Sequence, residues 1–205
     1  FIHLLKIILR DARTTSRPII KVNFMPEKLK LNLGCFNKRL PGFVNVDVRS
    51  DVNPDVVDNA FSLSKFKPNS VDLIYASHML EHLSYGYTAK AFSRWLEVLK
   101  NGGVLRLAVP DLEAVFAHYI YHKDLDVLMH MLYGSQRHDF DFHYNGWDYS
   151  RLERDLLKAG FKEVRRWDWR KTDPHYYCDD YSQAYWPHMD KEHGKLMSLN
   201  VEAIK

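Results

Sequence analysis

Cysteine is scarce in this 205-residue chain, which has only Cys35 and Cys178, far apart in the sequence. Such a pair does not form the dense disulfide framework of a small secreted domain, so we expect reduced thiols in a cytoplasmic protein, although the spacing alone leaves one bridge open. Long apolar runs are missing as well. The opening run Phe1–Leu9 contains Lys6 and is too short to span a membrane, so we interpret it as an amphipathic helix.

Neither sign of charge dominates the composition. The chain has 29 basic and 26 acidic residues and a net charge of +3, which excludes the strong basic footprint of a nucleic-acid-binding protein. It begins with Phe and lacks the basic start and small-residue cleavage site of a signal peptide. We therefore expect no nucleic-acid or membrane partner, and further domains of a longer chain are compatible with this start.

Short runs rich in Val, Ile and Leu alternate with stretches of helical periodicity, which is typical of a parallel sheet with helices on both faces. We predict one α/β domain with a doubly wound, Rossmann-like sheet of seven strands, mostly parallel, the last strand being antiparallel. The predicted strands are Leu29–Leu33, Phe43–Val48, Asp55–Val57, Val71–Ala76, Val104–Val109, Phe161–Trp169 and Ser198–Lys205. The domain, 1–205, divides into an N-terminal helix or extension (1–29), a half with the first five strands (30–110) and a part with the remaining helices, loops and final two strands (111–205).

Helix signals separate these strands. Amphipathic spacing predicts a helix over Thr88–Lys100 that stops at a glycine pair, and Asp111 is suited to cap the next helix. Ser150 with Glu153 three residues later predicts a capping box for a last helix that ends at Gly160. The first and second strands are separated only by residues 34–42, too few for a normal crossover helix, so we expect one turn or no helix there.

A ligand site is predicted where the first two strands end. Gly34 after strand one permits close approach of the backbone to a ligand, and Asp47 at the end of strand two can accept both hydroxyls of a ribose. Phe36 and Lys38 stand where a phosphate-binding loop has glycines, so a nucleoside without phosphates is favoured over a dinucleotide. The plain alternative is that Gly34 ends a strand and Asp47 caps a turn.

Four sequence blocks carry a family resemblance. They are Leu-Asn-Leu-Gly-Cys at 31–35, Gly-Phe-Val-Asn-Val-Asp at 42–47, Val-Asp-Leu-Ile-Tyr-Ala-Ser-His-Met-Leu-Glu-His-Leu at 71–83, and Leu-Lys-Asn-Gly-Gly-Val-Leu-Arg-Leu-Ala-Val-Pro-Asp at 99–111. With a late Ala-Gly-Phe at 159–161, their order resembles the type 11 branch of the class I S-adenosylmethionine-dependent methyltransferases. The resemblance covers residues 30–205.

The resemblance implies S-adenosylmethionine as cofactor and a methyl transfer to a small acceptor. Residues 30–110 are then the cofactor-binding half and residues 111–205 the acceptor-side part. It places Gly34 and Cys35 at the methionine end of the cofactor, Asp47 on the ribose, and Ser77 and His78 along the pocket. The full set of implied cofactor residues is Asn32, Leu33, Gly34, Cys35, Phe36, Asp47, Asp58, Asn59, Ala60, Ser77 and His78. The chain departs from the pattern twice, because Asn32 replaces the more usual acidic residue and Phe36 replaces a glycine.

Acid–base residues are densest in the segment 137–144, which contains His138, Asp139, Asp141 and His143. Three interpretations stay open: a solvated polar loop, a general base, or a metal site formed by these four side chains. The resembling family often has a histidine before the following helix, which selects His143. Asp111 is either the cap of its helix or a second acid–base candidate.

We expect simpler roles for the other polar residues. We expect Glu81 and His82 to start a helix and face solvent, and His78 to form a pocket wall. The segment 170–197 is too long for an idle loop. Its tyrosines and tryptophans, within 176–186, suit either packing of the loop or binding of a sugar or another ring-shaped acceptor.

These observations predict a methyltransferase that acts on a hydroxyl of a sugar or glycan intermediate, with His143, Asp111 and His138 as catalytic candidates and no metal. Proteins that resemble this branch are often associated with polysaccharide assembly. The alternatives are methylation of another small metabolite at O, N or C, and a catalytically silent module that binds the cofactor. Labelled cofactor separates them, because a silent module binds it and labels nothing.

Overall fold

The computed structural model describes residues 28–172 and 179–205, so the helix predicted at Phe1–Leu9 lies outside the described residues. The strands are β1 (Lys30–Leu33), β2 (Val44–Asp47), β3 (Val56–Val57), β4 (Val71–Ser77), β5 (Leu99–Pro110), β6 (Glu163–Arg166), β7 (Tyr185–Trp186), β8 (Lys195–Leu196) and β9 (Ser198–Ile204). Seven of them form one sheet in the order β3-β2-β1-β4-β5-β9-β6. Only β9 runs opposite to the other six strands of that sheet, so the predicted fold class is confirmed.

The helices are α1 (Tyr85–Val98), α2 (Leu112–His122), α3 (Met129–Tyr133) and α4 (Tyr149–Ala159). The helix predicted to end at Lys100 is α1, which ends two residues earlier, at Val98. The chain passes from Val98 directly into β5, where Leu99 already pairs with Val71, and Gly102 adopts its φ of 75° inside the strand. Pairing with β4 therefore ends the helix before the glycines do. None of the described helices is long and apolar enough to cross a membrane.

The capping box predicted for α4 is also wrong. Asp148 is the N-cap, and its Oδ1 accepts a hydrogen bond from the backbone N–H of Arg151 at 2.7 Å. Ser150 donates its hydroxyl to the same carboxylate, while Glu153 accepts from the hydroxyl of Tyr149. Aspartate is at least as good a cap as serine, so the carboxylate that comes earlier starts the helix.

The segment 170–197 contains regular structure that the sequence did not predict. A 3-10 turn at Tyr181–Gln183 is followed by a small second sheet in which β7 pairs antiparallel with β8. The strand predicted over Phe161–Trp169 is confined to β6, and a 3-10 turn at Trp169–Lys171 follows it. Residues 173–178 lie outside the described part of the chain.

Alternation along the strands divides the core into two faces. Ile74 and Ala76 of β4 belong to the larger cluster, which includes buried side chains of α1 and α4, whereas Tyr75 packs with Leu40 and Trp167 on the opposite face. Both faces of β4 are therefore covered. The carboxyl ends of β1, β2 and β4 form the edge at which a ligand is expected in such sheets.

The connection from β1 to β2 contains turns and no helix, as predicted. It begins at Gly34, which has a φ of 63°, and a Cβ placed there would lie 2.3 Å from the Cγ of Met79. We expect Gly34→Ala to lower the free energy of unfolding by about 2–4 kcal/mol, because left-handed strain and overpacking add. Gly86→Ala is the matched control in α1, where an added Cβ would meet nothing within 4 Å.

Urea unfolding of both variants tests this prediction. The control should be neutral or gain up to about 1 kcal/mol, because alanine is the better residue in a helix. Equal stability of Gly34→Ala and the unsubstituted chain would contradict the close contact between Gly34 and Met79.

Candidate functional site

A cavity of about 820 Å³ lies where β1, β2 and β4 end. This volume is within the range of small-molecule sites. The predicted cofactor residues that line it are Asn32, Gly34, Cys35, Phe36, Asp47, Asn59, Ala60, Ser77 and His78. Leu33 and Asp58 do not line it: Leu33 is fully buried in the core, and the carboxylate of Asp58 accepts hydrogen bonds from Ser64 and Lys65. The carboxylate of Asp58 therefore stabilises the loop that contains it.

Asp47 stands at the end of β2 with 8% of its surface exposed. Its Oδ2 accepts from the backbone N–H of Phe36, and its Oδ1 accepts from the backbone N–H of Arg49, both at 2.9 Å. A carboxylate oxygen can accept more than one hydrogen bond, so these contacts fix the carboxylate and leave it able to accept two hydroxyls. The arrangement fits the ribose of a nucleoside.

The two departures from the family pattern have local explanations. Asn32 donates its amide to Asn45 Oδ1 and to the carbonyl of Lys38, both at 2.9 Å, and a carboxylate could not donate these bonds. Phe36 has a φ of 41°, so it keeps the left-handed backbone that a glycine would adopt. Its ring is 45% exposed and lies 5.5 Å from the guanidinium carbon of Arg49.

His78 is a second non-glycine residue of the cavity wall with a left-handed backbone, at a φ of 46°. Such backbone costs about 1–3 kcal/mol per residue and is concentrated at functional sites. Phe36 and His78 thus place two strained residues in one cavity, which supports a functional role for it.

Apolar side chains that the sequence did not indicate complete the cofactor side. Phe61 packs on Tyr87 of α1 with a ring-centroid distance of 4.5 Å, and Leu83 and Val48 also line the cavity. Phe61 directly follows Asn59 and Ala60, which were predicted as cofactor residues. This position in the sequence was the signal that could have identified Phe61 as a cavity residue. These apolar walls suit a flat base such as adenine.

Cys35 is buried and free, while Cys178 lies outside the described residues. Burial, reinforced by the nearby carboxylate of Asp47, raises the pKa of the Cys35 thiol to about 11. The thiol is therefore protonated at neutral pH and is not a nucleophile.

A second part of the cavity lining, the acceptor wall, comes from the acid–base segment and from the loop before β7. Its residues are Arg137, His138, Asp139, Phe140, Asp141, Tyr144, Asp180 and Tyr181. Burial raises the pKa of Asp141, but hydrogen bonds from the side chain and backbone of Arg137 outweigh it, and the pKa is lowered. The Nε2 of His138 lies 2.9 Å from the Nη1 of Arg49, which joins the acid–base segment to the loop after Asp47.

Asp111 and His143, the other two catalytic candidates, do not line the cavity. Asp111 is confirmed as the N-cap of α2, because its Oδ1 accepts from the backbone N–H of Glu113 at 3.1 Å, and burial raises its pKa. His143 is partly buried, with Nδ1 2.9 Å from the carbonyl of Met131, and burial lowers its pKa. Their catalytic roles stay predictions.

The expectation that Glu81 faces solvent is wrong, since the residue is fully buried. It belongs to a 3-10 turn, Leu80–His82, that directly follows β4 and is covered by the segment 142–144. Tyr144 donates its N–H to the carbonyl of Glu81 at 2.8 Å, and His82 Nδ1 lies 3.0 Å from the carbonyl of Phe142. Contacts with this distant segment turn the carboxylate inward, which local sequence spacing cannot reveal.

The four-residue metal site considered for the acid–base segment is not formed. The carboxylate of Asp141 is paired with Arg137, and His138 is next to Arg49, so cations occupy both positions. Within residues 28–172 and 179–205, the side chains close enough to share an ion are instead those of Glu81, His82 and His143.

The described aromatic residues of the segment 170–197 lie in two places. Tyr181 lines the cavity, whereas Tyr185 and Trp186 form β7. The buried carboxylate of Asp180 accepts the hydroxyl of Tyr75 at 2.6 Å, which ties this loop to the sheet. His175, Tyr176 and Tyr177 lie outside the described residues.

Comparison with known proteins supports the same fold and cofactor. Residues 13–107 match the family model of a methyltransferase domain, and no curated protein sequence matches the chain. A SAM-dependent methyltransferase from Archaeoglobus fulgidus is 14% identical with a TM-score of 0.55, covering 89% of this chain and 88% of its own. One from Thermotoga maritima is 15% identical with a TM-score of 0.58, covering 89% and 84%. At these identities the structural likeness establishes the fold, and the family match supports S-adenosylmethionine as the cofactor.

Proposed function

We propose that this chain, whose family match and fold are those of S-adenosylmethionine-dependent methyltransferases, methylates a hydroxyl group of a sugar or glycan intermediate. The observation that carries the proposal is one cavity with two chemically different walls. The first wall has the carboxylate of Asp47 and apolar side chains, and the second has charged and aromatic side chains around His138 and Tyr181. A cofactor and an acceptor can therefore meet within one enclosure.

The residues present fit the cofactor. Asp47 would hold the ribose, the turn at Gly34 and Cys35 would lie along the methionine end, and Asn59 and Phe61 would flank the adenine. When bound, S-adenosylmethionine supplies an electrophilic methyl group on a sulfonium. The chain must then hold the acceptor oxygen in line with that methyl group, and such positioning alone can be worth about 7–11 kcal/mol.

The second wall suits a carbohydrate. Phe140 and Tyr181 are more than half exposed and offer aromatic faces for the apolar side of a sugar ring. Arg137, Asp139 and Asp141 offer donors and acceptors for ring hydroxyls close to these faces. Of the three acid–base candidates, His138 lines the cavity, so we propose it first as the group that accepts the hydroxyl proton. Its Nε2 faces Arg49 and its Nδ1 faces the backbone N–H of Phe140, so one of these contacts must open when the proton is taken.

Transfer of labelled methyl groups tests this function. The purified chain is incubated with S-adenosylmethionine carrying a tritiated methyl group and with panels of nucleotide sugars, oligosaccharides and unrelated small metabolites. We expect label in a carbohydrate, at a position resistant to base. Label only in a non-carbohydrate metabolite would overturn the sugar assignment, and cofactor binding without any label would indicate a silent module.

A further inference from the structure

Glu81 is a fully buried carboxylate that lies next to histidine side chains. Its side chain is fully buried, and neither carboxylate oxygen has a hydrogen-bond partner among the described residues. The nearest cationic candidates are imidazoles: the Nδ1 of His78 lies 3.3 Å from Oε1, and the Nε2 of His143 lies 4.0 Å from it. Burial of a carboxylate without a partner is costly, so a positive charge is expected beside it.

Two of the imidazoles around this carboxylate, those of His82 and His143, are held in a defined protonation pattern. A carbonyl only accepts, so Nδ1 of His82 must donate to Phe142 O at 3.0 Å, and Nδ1 of His143 must donate to Met131 O at 2.9 Å. On each neutral ring the lone pair is therefore on Nε2. Metal-binding histidines commonly donate their other ring N–H to a backbone carbonyl in this way, which fixes the tautomer and the ring orientation.

The three side chains are close enough to share one ion. Each of Glu81, His82 and His143 offers one ligand atom, and these atoms lie within 4.8 Å of one another. Ligands at about 2.0–2.2 Å from a zinc-sized ion are roughly 3–4 Å apart, so side-chain shifts of about 1 Å would complete the site. Two imidazole nitrogens and one carboxylate oxygen suit zinc, manganese or iron better than magnesium or calcium.

We propose that Glu81, His82 and His143 bind a divalent transition-metal cation beneath the cavity. The ion would place a fixed positive charge beside the buried carboxylate. His82 also lines the cavity, so the open coordination positions would be reached from the cavity. This further role rests on the proposed function: an acceptor hydroxyl on the ion would lose its proton more easily and become a better nucleophile.

Metal binding itself tests the site. The full chain, dialysed against a chelator and then freed of it, is titrated calorimetrically with Zn²⁺ and separately with Mn²⁺. We expect one ion per chain, with binding weakened by roughly tenfold or more in Glu81→Gln, His82→Gln and His143→Gln. His130→Gln is the matched control, an exposed histidine on α3 outside the cluster, and should bind normally.

Circular dichroism of each variant separates loss of a ligand from loss of the fold, and the partly exposed His82 keeps the test valid if Glu81→Gln unfolds. Binding that survives all three substitutions but disappears in His122→Gln would place the ion on the stacked pair His118 and His122 of α2 and overturn the proposal. Absence of binding to the folded chain would also overturn it.

Titration of the same preparations with S-adenosylhomocysteine distinguishes the two proposals. Binding of metal without binding of S-adenosylhomocysteine would support the metal site and overturn the proposed function. Binding of S-adenosylhomocysteine without binding of metal would support the cofactor site and overturn the metal site.

Discussion

Replacement of Asp47 by Asn is expected to weaken S-adenosylhomocysteine binding by about 30- to 700-fold, which corresponds to about 2–4 kcal/mol. The substitution keeps the size of the side chain but removes the charge that strengthens hydrogen bonds from ribose hydroxyls. Asparagine also has one acceptor oxygen instead of two, so it can accept from the backbone N–H of Phe36 or of Arg49 with the geometry of Asp47, but not from both. Isothermal titration calorimetry measures the change.

Asp51→Asn is the matched control for Asp47. Asp51 lies in the next turn and pairs with Arg49, but most of its side chain is exposed and it does not line the cavity. Its substitution should leave affinity within about twofold, because exposed ion pairs contribute little. Unchanged affinity of a folded Asp47→Asn protein would mean that the ribose lies elsewhere.

Substitution of His138 by Gln is expected to lower kcat by about 10²- to 10⁴-fold, the contribution of a positioned general base. Cofactor affinity should stay within about twofold, because the amide oxygen of glutamine can still accept from Arg49, through which His138 contacts the loop after Asp47. Initial rates at saturating acceptor and a parallel calorimetric titration separate the two effects.

His130→Gln again serves as the control, and it should retain full turnover. Full activity of His138→Gln together with an inactive Asp111→Asn would transfer the base to Asp111, since asparagine preserves the helix cap while removing the proton acceptor. Loss of cofactor affinity in His138→Gln would instead place this side chain on the cofactor side.

The sheet and the cofactor wall were predictable from the sequence because both depend on short segments. Gly34 and Asp47 each follow a strand whose apolar pattern is evident, and the carboxyl ends of neighbouring parallel strands meet at one edge. The absence of a helix between β1 and β2 followed from the length of the connection alone. Asp58 was predicted by position in the family pattern, yet its hydrogen bonds hold its own loop.

The acceptor side was less predictable because tertiary contacts decide it. Glu81 looks like an ordinary polar residue at a helix start, and only the covering segment 142–144 makes it buried. His143 and His138 are close in sequence, but one is turned toward Glu81 and the other toward the cavity. Helix caps are also hard to predict from the sequence. Ser150 and Asp148 are both suited to cap α4, and the structure shows that Asp148 does so.

The central claim is that the cavity at the ends of β1, β2 and β4 binds S-adenosylmethionine, and calorimetric titration of the unsubstituted chain tests it most directly. S-adenosylhomocysteine, NADH and ATP are titrated in turn under the same conditions. We predict binding of S-adenosylhomocysteine at one site per chain and no measurable binding of the two phosphate-containing nucleotides, because the loop after β1 lacks the glycines that would cradle a pyrophosphate. Tighter binding of NADH than of S-adenosylhomocysteine would contradict the account.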